Sequence, residues 1–148
     1  MKLLKLYEWI IGTMSDFAKQ FQDNETLYNQ ARKFWSNLEA SSIIIVGIFI
    51  TLGLIMAYTY YKPFNDKPGR HYKPKYWVIF LGITSILSFL VTLGSVYFMV
   101  PPKIDGSFVL VLKIALANAI YSSIVYALIS WIWCQFNLPT NAYRYLKF

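Results

Sequence analysis

Three runs of this sequence hold almost no charge over lengths that point to lipid as the solvent. Ser41–Tyr61 reads SSIIIVGIFITLGLIMAYTYY and Tyr76–Val100 reads YWVIFLGITSILSFLVTLGSVYFMV, neither with a charged residue. Val109–Trp133, VLVLKIALANAIYSSIVYALISWIW, carries Lys113 alone. Crossing about 30 Å of hydrocarbon takes about 20 residues of helix, and each run is that long. Lipid offers the backbone no hydrogen bonds, so only helices or closed barrels cross it. The alternation of barrel strands is absent. Tyr58, Tyr60 and Tyr61 end the first run, Tyr76 and Trp77 open the second, and Trp131 and Trp133 end the third, where aromatic belts belong. The expected fold class is an all-α integral membrane protein with three transmembrane helices, over residues 41–61, 76–100 and 109–133.

Composition agrees. The chain has 148 residues, 57% hydrophobic and only 14% charged, against about 25% charged in soluble domains. A soluble chain this short cannot bury so much apolar surface. The net charge is +7, but the basic residues are scattered, which argues against nucleic acid and for lipid headgroups. One cysteine, Cys134, excludes an internal disulfide. The basic start MKLLKLYEWIIGTM is broken by Lys5 and Glu8 and followed by no small-residue cleavage pattern, so no cleaved signal peptide is expected.

Residues 1–40 differ in character from the three apolar runs. Leu3, Tyr7, Ile10, Met14, Phe17 and Phe21 recur at three- and four-residue spacing, predicting an amphipathic helix. After a break at QDNE, where Asp23 or Asn24 can cap a new helix, Leu27, Ala31, Phe34, Trp35 and Leu38 resume the pattern. This apolar face can lie in the membrane interface or pack on protein. Tyr7, Ile10, Met14, Phe17, Phe21, Phe34 and Trp35 are the partner-facing candidates.

Charge near the span ends suggests orientation. The 62–75 connector carries Lys62, Lys67, Arg70, Lys73 and Lys75, and the tail of residues 137–148 adds Arg144 and Lys147. Arg32, Lys33 and Lys103 flank the other side. This bias predicts a cytoplasmic connector and C-terminus, although counting Lys2, Lys5 and Lys19 narrows it. Pro63, Pro68 and Pro74 are expected to keep the connector from continuing as helix, and Pro139 to stop the third span. The aromatic, basic tail reads as a membrane anchor or a docking peptide.

Within the spans, Thr84, Ser85, Ser88, Thr92 and Ser95 share one arc, and Asn118, Ser122, Tyr126 and Ser130 share another. Such residues let helices approach closely and hydrogen-bond across; in an oligomer they could instead line a pore. Asn118 is the best placed for a buried interhelical bond. Lys113 lies about one turn inside its span, and snorkelling to headgroups near Asp105 explains it.

No catalytic, metal or cofactor site is expected. The chain has one His and one Cys, and all seven acids lie outside the spans. A dyad of His71 with a span serine lacks an orienting group, and no phosphate-binding glycine loop is present. The expected function is a non-enzymatic subunit anchoring or scaffolding a larger inner-membrane assembly of the secretion, motility, respiratory or defence kind. The expected partners are lipids, other subunits or copies of itself. The alternatives are a homo-oligomeric pore or permeabilising effector and, more weakly, a lipid- or solute-handling protein. The expected location is a bacterial inner membrane, with the mitochondrial inner membrane as alternative.

Overall fold

The computed structural model describes residues 3–68 and 73–147, and among them every regular element is a helix. Arg70 and His71 lie outside the described residues. Three helices are long and apolar enough to cross a membrane: Ser42–Phe64, Lys75–Met99 and Ser107–Gln135. Their ends lie one to three residues from those expected, and where a helix runs longer a polar flanking residue finishes a turn in the headgroup layer. Packing divides the chain into two compact units, residues 1–48 with 89–118 and residues 49–88 with 119–148.

The first unit holds the N-terminal segment. A 3₁₀ turn (Leu3–Tyr7) leads into α1 (Glu8–Ile11), then α2 (Met14–Lys19) and α3 (Glu25–Ala40). The single amphipathic helix expected as far as Phe21 is therefore broken at Gly12. Gly12 has φ 76°, in the left-handed region that costs a residue without a side chain least. Thr13 then starts a new helix: its Oγ1 accepts the Asp16 N–H at 3.3 Å, and Asp16 Oδ2 accepts the Thr13 N–H at 3.1 Å. This reciprocal capping satisfies two donors that a helix start leaves open. Asn24 caps α3, its Oδ1 accepting from Thr26 and Leu27 at 3.0 and 3.2 Å.

The apolar stripe of α3 buries Ala31, Phe34, Trp35 and Leu38, the spacing of one helix face. Phe17 meets it, with ring centroids 5.8 Å from Phe34 and 6.2 Å from Trp35. Tyr7, Phe17, Phe34 and Trp35, expected to face a partner, are instead buried within this chain. The amphipathic stripe is closed by the second half of its own segment and by the spans. Ile10, Met14 and Phe21 are half-buried. Asn37 Nδ2 donates to the Pro101 carbonyl at 2.6 Å, tying α3 to the turn between the second and third spans.

The second unit corrects the expected effect of Pro63. Helix α4 (Ser42–Thr59) does not stop there but continues as a wider π turn, Tyr60–Phe64, with Pro63 inside it. A proline supplies no N–H and its ring crowds the carbonyl four residues back; the wider turn gives that ring room. The carbonyls left over at the helix end find side chains. Asn65 Nδ2 donates to Tyr60 O, and Thr140 Oγ1 donates to Tyr61 O at 2.6 Å.

Like α4, helices α5 (Lys75–Met99) and α6 (Ser107–Gln135) each contribute to both units. Helix α6 ends before Pro139, and Asn137, at φ 51°, makes the reversal. Asparagine is one of the few side-chain residues that tolerate this region. The tail then folds back: Gln135 Nε2 donates to Leu146 O at 3.1 Å, and Ala142 is buried. Arg144 and Lys147 both reach Asn137 Oδ1.

Candidate functional site

Asn118 lies within α6, eleven residues after Ser107, and is fully buried. At 1.5 Å per residue that is about 16 Å into the helix, where an unpaired amide would cost several kcal/mol. It is not unpaired. Its Nδ2 donates to the Ile45 carbonyl at 2.9 Å and to Thr92 Oγ1 at 2.8 Å, and its Oδ1 accepts the Tyr7 hydroxyl. One side chain thereby joins α4, α5, α6 and the N-terminal turn. Tyr7 reaches it because Leu4, Tyr7 and Ile11, on one side of the first two helical turns, are all buried.

The second unit has its own polar cluster, among aromatic rings. Trp77 Nε1 donates to Ser130 Oγ at 3.0 Å, and the Tyr126 hydroxyl donates to Trp77 O at 3.3 Å. Tyr61 stacks on Trp133 with centroids 5.3 Å apart and rings 6° from parallel. The Tyr61 hydroxyl lies 3.5 Å from Cys134 Sγ and from Ser130 O. Trp77 also stacks on Tyr145 of the tail at 5.8 Å.

The span residues singled out by sequence are largely internal. Thr84, Ser88, Thr92, Asn118, Ser122 and Tyr126 are buried, and Ser95 is half-buried. Thr84 Oγ1 donates to Phe80 O at 2.7 Å and Ser122 Oγ to Ala119 O at 3.0 Å, each on its own helix, as lipid-embedded hydroxyls commonly do. Ser85 and Ser123 bond α5 to α6. Of the connector residues, Lys62 is half-buried while Lys67, Lys73 and Lys75 are exposed. Lys113 is exposed, beside exposed Val109 and Leu116. Sequence reasoning placed Ser130 on the polar face of its span but passed over Trp77 and Tyr61 as site residues, because aromatics at span ends already had a membrane-belt explanation. It also passed over Thr140, which lies beyond the spans.

Outside the spans, Asp16 has a shifted titration. Hydrogen bonds from the Thr13 hydroxyl and then the Thr13 backbone hold its carboxyl below the usual range, with Lys19 adding a smaller pull. Among the described residues, no three His, Cys, Asp or Glu side chains gather as a metal site requires. The buried hydroxyl, amide and phenol groups of the two clusters can position helices.

Fold and site together define a multi-pass α-helical membrane protein whose in-span polar groups are largely internal. No protein-family model, curated protein or solved structure matches the chain.

Proposed function

We propose that the chain is a non-enzymatic membrane subunit that anchors or scaffolds a larger inner-membrane assembly. The observation that carries the reading is the burial of Thr84, Ser88, Thr92, Asn118 and Ser122 inside a single copy. A pore-lining residue must face water in the assembled ring, whereas these are shielded before any second copy arrives. The outward residues of the same helices, among them Ile83, Ile86, Leu90, Ile120 and Ile124, are exposed and apolar. Such faces suit lipid or another apolar helix. The location is an inner membrane, with the 62–75 connector and the tail in the cytoplasm, as the Lys/Arg bias favours.

Native mass spectrometry of the protein extracted from its own membrane in mild detergent is the test. Co-extracted chains of other sequence are expected. A ring of this chain alone, with dye release from liposomes that is lost in a Ser88→Leu/Thr92→Leu variant, would overturn the reading in favour of a pore.

A further inference from the structure

The first unit contains a groove of about 240 Å³ between α2 and the start of α6. Its walls include Ile11, Phe17, Val109 and Leu110, and its polar lining is Asp16, Gln20 and Lys113. We propose that this groove is a binding site for a zwitterionic aminophospholipid of the phosphatidylethanolamine kind. The argument joins depth and charge. Lys113 lies six residues beyond Ser107, about 9 Å along the helix, and is exposed between lipid-facing Val109 and Leu116. An ammonium there must reach outward to a phosphate, and the groove is where it emerges. A lysine alone would accept any phospholipid.

Asp16 narrows the choice. Its Oδ2 is held by the Thr13 N–H at 3.1 Å and the Thr13 hydroxyl at 2.6 Å, which fixes the carboxylate on the groove wall. A carboxylate has about four acceptor positions, so capacity remains beyond these two bonds. The groove thus offers one cation and one anion, complementary to a headgroup with a phosphate and a primary ammonium. Phosphatidylglycerol would bring its phosphate to Lys113 but offer Asp16 only neutral hydroxyls, weaker donors to a carboxylate than an ammonium. The trimethylated ammonium of phosphatidylcholine has no N–H to donate. One acyl chain leaves along exposed Val109.

The test is native mass spectrometry of the detergent-solubilised full chain with phosphatidylethanolamine, phosphatidylglycerol and phosphatidylcholine at equal concentrations. The expected result is retention of phosphatidylethanolamine about fivefold over the other two, the size of one charge contact at a membrane surface. Lys113→Gln should lower retention of all three. Asp16→Asn, which keeps an acceptor for Thr13, should leave phosphatidylglycerol retention intact or raised and abolish the preference. Val109→Trp, which fills the groove without touching either charge, should displace the lipid. Circular dichroism reports whether each variant is folded; if Asp16→Asn is not, Val109→Trp decides. Equal retention of the three lipids by the unmodified chain, or an unchanged preference in folded Asp16→Asn or Val109→Trp, would overturn the proposal and leave Lys113 as a snorkelling residue only.

Discussion

Gly53 of α4 lies so close to Val125 of α6 that a Cβ built on it would stand 2.6 Å from Val125 Cγ1. It would also lie 3.0 Å from the Ser122 carbonyl, which is backbone and cannot rotate away. Helices in lipid gain their attraction from such close approach, since lipid tails are as apolar as any side chain. Gly53→Ala is expected to lower stability by about 1–3 kcal/mol through overpacking. Gly82→Ala, where a Cβ would meet nothing within 4 Å, should be neutral or gain up to about 1 kcal/mol from helix propensity. Unfolding in mixed micelles by increasing dodecyl sulfate distinguishes the two.

Asn118→Leu removes the acceptor for Tyr7 and the donors to Ile45 O and Thr92. In-membrane hydrogen bonds are worth about 0.6–2 kcal/mol each, so a loss of roughly 1–3 kcal/mol is expected. Tyr7→Phe should cost less, and should cost almost nothing once Asn118 is Leu. Full additivity of the two variants in the same micelle assay would show that the Tyr7–Asn118 bond carries no energy.

Thr140→Val deletes the bond to Tyr61 O that holds the tail at the helix end. Losing about 1 kcal/mol corresponds to roughly a fivefold rise in the open population. Limited trypsin digestion after Arg144 should accelerate by that factor, while the far-ultraviolet circular dichroism of the helices stays unchanged.

The depressed titration of Asp16 ties its capping box to pH. Because the folded value lies below the unfolded one, the contribution is complete above the ordinary carboxylate range. It is lost as pH falls through the folded value. Thr13→Ala removes the largest cause of the shift, so the Asp16 carboxyl should return toward its ordinary value. A carboxyl-carbon NMR titration of the two proteins reads this directly, and no movement in Thr13→Ala would contradict the capping geometry.

The three spans were legible because charge-free length is a local property of the sequence, and their bounds shift only by the few residues that polar flanks can add. Asn118 could be singled out because an amide in mid-span has few inexpensive fates. Its partner could not: Tyr7 is 111 residues away, and its place in the apolar repeat fits lipid, a partner or the chain itself equally well. The Gly12 break was missed because hydrophobic periodicity carries across a left-handed residue when the chain bends but does not change face. The Pro63 turn was missed because proline usually ends a helix; the wider π turn makes room for its ring, and the side chains of Asn65 and Thr140 take up the Tyr60 and Tyr61 carbonyls. The tail's fold-back rests on scattered contacts, among them bonds to Asn137, Tyr61 and Leu146 and the stacking of Tyr145 on Trp77, which composition does not encode.

The bond between Tyr7 and Asn118 also orders events in time. Tyr7 leaves the ribosome 111 residues ahead of its acceptor. Until the third span is in the bilayer, the first two span residues of the cluster, Ile45 and Thr92, have no Asn118 to join them. The Tyr7–Asn118 bond therefore forms only after α6 has been made. A nascent chain stalled before α6 would lack the Asn118 contact that helps bury Tyr7 in the finished protein, a physical difference between incomplete and complete copies.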